Sequence, residues 1–173
     1  MKIRTVEKDD FKEIDELIRE AFTKTDHGYG NESELVTKIR KVNGYNSYLE
    51  VIALSNNKII GHGLLSPVKI INKKEEFRGL VLAPLAVLPS SQGQKVGGKI
   101  LLELEERARE LGYSYISILG HASYYPKFGY IPASQYKIKA PFEVSDENFM
   151  IKPLLENALK NVTGTIKYSD AFE

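Results

Sequence analysis

The spacing of apolar residues changes several times along the chain, and each change marks a new element. Lys2 to Val6 alternates polar and apolar, the two-residue period of a strand. Phe11, Ile14, Leu17, Ile18 and Phe22 then recur at three- and four-residue intervals, which puts them on one helical face. Asp9 or Asp10 stands where a side-chain oxygen caps such a helix. Residues 23–31, TKTDHGYGN, form a polar loop. Glu32 to Val42 reads as a second helix with Leu35, Val36 and Ile39 inward, stopped near Asn43-Gly44. Ser47 to Leu54 and Ile59 to Ile71 read as two strands joined by the tight turn Ser55-Asn56-Asn57-Lys58. Asn72 to Phe77 is a charged connector, and Leu80 to Val87 is apolar without a break, as in a strand buried on both faces.

The second half opens with a helix of roughly Val96 to Glu110, with Ile100, Leu101, Leu104 and Ala108 inward and Leu111-Gly112 as its end. The charges of Glu103 to Glu110 are expected on its solvated face, linked by i,i+4 pairs. Tyr113 to Leu119 is another buried strand, His121 to Phe128 a short helical segment, and Gly129 to Lys139 a returning strand. Two extended segments, Asn148 to Leu154 and Thr163 to Tyr168, flank a short Leu-rich helix. The expectation is an α/β fold, a mixed twisted sheet with helices on its faces, in one domain over residues 1–173.

Composition narrows the function. Lys and Arg number 24 against 23 Asp and Glu, which removes the basic footprint of a nucleic-acid binder. With no cysteine there is neither a disulfide nor a thiolate metal site nor a cysteine nucleophile. His27, His62 and His121 lack metal-ligand spacing, so no metal is expected. The charged start MKIRTVEKDDF is unlike a secretion signal, and no apolar run reaches the ~18 residues of a membrane span. A cytoplasmic protein without a membrane partner is the resulting expectation, as a monomer or as a homodimer paired through its tail strands.

Candidate chemistry concentrates in Leu82 to Gly112. An apolar strand runs into a Pro/Ser turn, then Gln92-Gly93-Gln94-Lys95-Val96-Gly97-Gly98, then the helix. Strand, glycine-rich turn and helix start in that order make a phosphate cradle, because the first helical amides lack intrahelical partners and the dipole favours negative charge there. Gly93 to Ile100 nearly matches GxxxxGK[ST], but Ile100 has no hydroxyl for Mg²⁺. The strand Tyr115 to Leu119 also lacks the terminal Asp that nucleotide hydrolysis would need.

Residues 80–130 instead resemble the acetyl-CoA-binding core of the GNAT superfamily of N-acetyltransferases. That signature is a strand ending in V-x-P, then [RQ]-x-x-G-x-[GA] and a helix. Here it stands as Val87-Leu88-Pro89 followed by Gln92-Gly93-Gln94-Lys95-Val96-Gly97, with Lys95 where the family usually has glycine. Ile3-Arg4 with Asp10 to Ile14 is similar to the family's opening strand and helix, and Ile60-Gly61-His62-Gly63 to its third strand. Leu119 to Tyr130, with Tyr125 four residues before Gly129, resembles the downstream motif. The LAPLAV and YYPKFGY stretches resemble a bacterial subgroup, and the likeness covers roughly residues 1–135.

The resemblance implies an acetyl-CoA-dependent N-acetyltransferase acting on a primary amine, with the cofactor between two splayed parallel strands, Leu80 to Val87 and Tyr115 to Leu119. Leu85, Ala86 and Val87 would meet the pantetheine, the Val87 N–H would polarise the thioester carbonyl, and Gln92 to Lys99 would hold the pyrophosphate: Gln92, Gly93, Gln94, Lys95, Val96, Gly97, Gly98 and Lys99. Tyr125 matches the general acid by position, since a phenol suits a departing thiolate. Leu80 to Val87 carries no carboxylate to act as base. His62 on its strand is either a proton relay or a satisfied structural histidine. His121 and Tyr124 are expected near the pocket, and Asp26, His27, Tyr29 and Glu32 in the loop that shapes the acceptor site. A non-catalytic acyl-CoA-binding sensor would keep the same cradle.

Overall fold

The computed structural model describes residues 1–173, and the chain divides into two compact units: Met1–Ser66 with Ala83–Arg107, and Pro67–Leu82 with Ala108–Glu173. The first unit contains β1 (Lys2–Thr5), α1 (Phe11–Thr23), α2 (Glu32–Ile39), β2 (Glu50–Ser55) and α3 (Val96–Glu110) up to Arg107. The long strands β3 (Lys58–Asn72) and β4 (Glu75–Val87) run through both units. The sheet order within the first is β1-β2-β3-β4, and β1/β2 and β2/β3 are antiparallel.

The predicted helical faces are the buried ones. Ile14, Leu17, Ile18 and Ala21 of α1 and Val36 and Ile39 of α2 are buried. In α3, Ile100, Leu101 and Leu104 are fully enclosed. A Cβ added at Gly61 would lie 2.7 Å from Ile100, and one at Gly63 2.6 Å from it and 2.9 Å from Leu104. The hydrophobic-x-Gly pattern of β3 thus lets α3 sit directly on the strand backbone.

The second unit holds β5 (Tyr115–Leu119), β6 (Ile131–Pro132), β7 (Ile138–Lys139), β8 (Phe149–Pro153) and β9 (Gly164–Tyr168). Its order is β4-β5-β8-β6, and β9 pairs with β3 and β7. β4 and β5 are parallel, but the register covers only Leu80↔Ile116 and Val81↔Ser117. Val68, Ile70, Tyr115, Phe149, Ile151 and Ile166 belong to its core. No helix is long and apolar enough to cross a membrane.

Several elements differ from the sequence expectation. The connector after β3 is a two-residue turn at Lys73 and Lys74, with Lys73 at φ 54°, so β4 begins at Glu75 and the two strands form one long hairpin. Gly129 to Lys139 is not one strand: β6 and β7 are separated by a 3₁₀ turn at Ala133–Tyr136, ended by Lys137 at φ 61°. The Leu-rich helix of the tail does not form. Residues 154–161 are bends and turns, with Asn157 and Asn161 left-handed at φ 62° and 63°, and repeated left-handed residues interrupt a right-handed helix. The charged run of α3 is not all solvated either, since Glu105 is 1 % and Arg107 8 % exposed. Arg107 does make the expected i,i+4 pair with Glu103, at 2.9 Å. It also donates to Thr5 Oγ1 at 2.7 Å and to the Tyr48 carbonyl at 2.9 Å.

Candidate functional site

In the first unit, β4 ends at Val87, and the Leu88 N–H donates to the Ile60 carbonyl at 2.9 Å, anchoring the following loop to β3. A 3₁₀ turn over Pro89–Ser91 leads to Gln92, whose amide folds back to donate to the Val87 carbonyl at 3.2 Å. Gly93 then has φ 80° and Lys95 φ 64°. Gly93 is required by this left-handed backbone and not by crowding, since an added Cβ would meet nothing within 4 Å. Lys95 adopts the same region with a full side chain, at a cost of about 1–2 kcal/mol.

These two left-handed residues turn the chain into α3, which starts at Val96. The Lys99 N–H donates to the Lys95 carbonyl at 3.2 Å. The N–H groups of Val96, Gly97 and Gly98 therefore come before the intrahelical ladder, at the positive end of a 15-residue helix. No acidic residue stands in its first turn. Val96 is 3 % exposed, so the helix start is packed in place. The backbone conformation and the open space at Gly93 fit a diphosphate held by main-chain donors.

In the second unit, Gly120 follows β5. Its N–H donates to the Asn148 carbonyl at 2.9 Å, and the Asn148 amide donates back to the Gly120 carbonyl at 2.9 Å. The His121 carbonyl accepts from the N–H groups of Tyr124 and Tyr125. Tyr125 then opens a 3₁₀ turn over Tyr125–Phe128, closed by Gly129 at φ 93°. The Lys152 ammonium donates to the Phe128 carbonyl at 2.7 Å, holding the end of this turn. The Tyr125 ring lies edge-on to Tyr124 at 5.0 Å and to Tyr130 at 6.1 Å. A Cβ at Gly120 would come within 2.5 Å of the Tyr125 ring, so the glycine makes room for it. Burial pushes the Tyr125 phenol well above the usual tyrosine range, and Tyr124 adds to the shift. Burial raises Tyr124 as well. Both remain protonated at neutral pH. His121 itself is exposed.

The loop candidates of the first unit mostly organise the loop. His27 is exposed. Tyr29 donates to the Glu34 carboxylate and accepts from the Ser33 N–H at 3.1 Å, under the Arg19 guanidinium at 5.1 Å. The Glu32 carboxylate accepts from the Gly30 N–H at 2.8 Å. The cavity of this region, about 230 Å³, is lined instead by Phe11, Asp15, Ser33, Val36 and Arg40 among others. Asp15 and Ser33 are hydrogen-bonded across it. The helical pattern assigned Phe11 and Val36 only to packing.

The sequence reading also missed a buried polar cluster. Glu50 opens β2 and His62 lies in β3, both fully buried. The Glu50 carboxylate accepts from Arg40 at 2.5 and 3.1 Å, from the Tyr45 hydroxyl at 2.6 Å and from His62 Nε2 at 2.8 Å. Arg40 also stacks over the Phe11 ring at 3.7 Å. Burial acts to raise the Glu50 carboxyl, but hydrogen bonds from His62 and Arg40 overcome it and bring it to about 2. Burial, then Glu50, pushes the Tyr45 phenol far up. No cluster of His, Cys, Asp and Glu is arranged to hold a metal ion.

Known proteins have related sequences and folds. The profile described as "Acetyltransferase (GNAT) family" matches residues 11–130. The uncharacterized N-acetyltransferase YjhQ of Escherichia coli (strain K12) is 30 % identical over 171 residues, covering 96 % of this chain and 91 % of YjhQ. Among solved structures, the GNAT family N-acetyltransferase YhbS from Escherichia coli, in complex with CoA, superposes with a TM-score of 0.87. It is 27 % identical, with 99 % of this chain and 91 % of that chain covered. A GNAT family acetyltransferase from Brucella melitensis, in complex with acetyl-CoA, gives a TM-score of 0.79 at 26 % identity, covering 99 % of this chain and 97 % of that one.

Proposed function

The chain belongs to the acetyltransferase (GNAT) family, and we propose that it moves an acetyl group from acetyl-CoA to the primary amine of an acceptor by direct attack. The observation that carries this reading is the loop at the start of α3. Gly93 and Lys95 are left-handed, and the Val96, Gly97 and Gly98 amides precede the helical ladder with no carboxylate nearby in that turn. Gln92 to Lys99 would grip the cofactor's diphosphate, as an anion is held at any helix start. The Lys95 ammonium adds a charge that glycine lacks.

β4 pairs with β5 only at Leu80 and Val81. Leu85, Ala86 and Val87 come later in β4, and their main-chain groups are assigned to the pantetheine amides, as in strand addition. The Val87 N–H is assigned to the thioester carbonyl, where it would stabilise the developing oxyanion. Tyr125 is assigned as the proton donor to the thiolate. Burial raises the phenol, so it carries its proton at neutral pH and can offer it as a donor. His27, Tyr29, Glu32, His121 and Tyr124 are assigned to the surroundings of the acceptor.

Binding and turnover are tested separately. Calorimetric titration with acetyl-CoA is expected to give saturable heat, and absence of heat with an unchanged melting temperature would overturn the reading. Tyr125→Phe is expected to lower the rate of thiol release about 10²–10⁴-fold, with acetyl-CoA affinity unchanged. Equal rates in both forms would remove this role. A chain that binds acetyl-CoA but releases no thiol with any primary amine would instead be the acyl-CoA sensor, a reading that the absence of a carboxylate between Leu80 and Val87 favours.

A further inference from the structure

His62 is fully buried, and only one of its ring nitrogens has a partner. Nε2 lies 2.8 Å from the Glu50 carboxylate, while Nδ1 is buried with no hydrogen-bond partner from the protein. An unsatisfied buried polar atom costs about 1–3 kcal/mol, so this nitrogen calls for an explanation. The Glu50 partners decide which nitrogen carries the proton. Glu50 is held ionised by Arg40, Tyr45 and His62 together. A carboxylate only accepts, so the proton of neutral His62 sits on Nε2 and the Nδ1 lone pair is left free. A carboxylate that fixes an imidazole tautomer and stabilises its protonated form is the arrangement of an oriented base.

The position of His62 in β3 gives that lone pair a use. Leu88 N–H bonds the Ile60 carbonyl, and a Cβ on Gly61 would lie 3.5 Å from the Ala86 carbonyl. This part of β3 therefore runs beside the end of β4, one strand spacing of about 4.8 Å away. Gly61 and Gly63 face α3, so His62, between them, faces the opposite side of the sheet.

We propose that the Glu50–His62 pair, with His62 Nδ1 as the receiving atom, takes up through one water the proton released by the acceptor amine attacking beside Val87. This deepens the transferase reading and rests on it. The amine nitrogen forms its bond to the acetyl carbon as the carbon–sulfur bond breaks. One amine proton passes to Nδ1, and the thiolate takes the Tyr125 proton. The same water then carries the proton from His62 out to solvent, and solvent restores the phenol. Arg40 and Glu50 cancel each other before the transfer, so the cluster goes from neutral to a single positive charge. Asp10, which is electrostatically coupled to Glu50, is itself neutralised by a bidentate pair with Arg4 and leaves that balance unchanged. Glu50 is a positioning residue here.

Ring ¹⁵N spectra and rates form the test. In the wild-type chain at pH 8, with His62→Gln as the assignment control, the His62 signals should show Nε2 protonated and Nδ1 bare. A protonated Nδ1 at that pH overturns the proposal. Thiol release from acetyl-CoA is then followed with 1,4-diaminobutane, spermidine and benzylamine between pH 6 and 10. His62→Gln keeps a donor toward Glu50 but has no lone pair that titrates. It should lose about 100-fold in kcat at pH 7, with KM for acetyl-CoA unchanged, and recover part of the loss by pH 10, where hydroxide can take the proton in its place. A loss that is the same at every pH, or a raised KM with kcat intact, overturns the relay. If none of these amines supports thiol release although acetyl-CoA binds, transfer to them falls, and the ring spectrum alone decides the state of the pair.

Discussion

The glycine-rich loop before α3 and the Glu50 cluster lie in the same compact unit, yet they are built in opposite ways. The loop comes from consecutive residues and presents main-chain amides ahead of the helical ladder. The cluster draws Arg40, Tyr45, Glu50 and His62 from α2, a loop, β2 and β3, and works through side chains. The loop tolerates strain at Lys95, whose side chain is exposed. The cluster tolerates nothing missing, because each charge in it is removed from water. A backbone site therefore depends little on the identity of its side chains, whereas a buried side-chain site depends on all of them at once.

Removing the centre of the cluster should have the larger effect. Glu50→Gln deletes the charge that faces Arg40 and leaves the guanidinium with little compensation, so a loss of about 3–5 kcal/mol is expected in urea unfolding. A loss below 1 kcal/mol would mean that the cluster is no more demanding than the loop. Acid should reach the same group with a slightly smaller effect. The folded carboxyl titrates near 2 against an ordinary value of 4.5. A lowered pKa contributes stability that is full above about 4.5 and is lost as the pH falls to about 2, roughly 3 kcal/mol in all. Glu50→Gln should flatten that part of the stability curve, and an unchanged acid limb would sink the assignment.

The smallest effect is expected in the loop. Lys95→Gly relieves left-handed strain but loosens the unfolded chain, so stability should change by no more than about 1 kcal/mol. Acetyl-CoA affinity should fall modestly at low salt and be unaffected at high salt, where an ammonium–phosphate attraction is screened. Calorimetric titration at two salt concentrations checks it. A salt-independent collapse of affinity would mean that the loop's shape needs lysine as such.

Legibility followed the same division. Gln92 to Lys99 was readable because glycines, amides and a helix start in sequence carry their geometry with them. The α3 face of Ile100, Leu101 and Leu104 and the pattern of β3 were readable because burial repeats with the period of the element. Arg107 and Glu105 were read as solvated because a charge on a helix announces its sign and not its neighbours. In the tail, Leu154, Leu155 and Leu159 looked helical, but left-handed Asn157 and Asn161 break the run. His62 was visible as a residue on a strand, while its partner Glu50 and its bare Nδ1 were not.

The order of amino acids alone determined an α/β chain of the acetyltransferase family and the glycine-rich turn that leads into α3, since both follow from local periodicity and backbone freedom. Tertiary structure alone decided that Glu50, Arg40, Tyr45 and His62 share one buried charge cluster, and that Gly120 makes room for the Tyr125 ring. Such meetings depend on chain segments far apart in sequence, brought together by packing, and nothing in the local pattern of either segment encodes the distance between them.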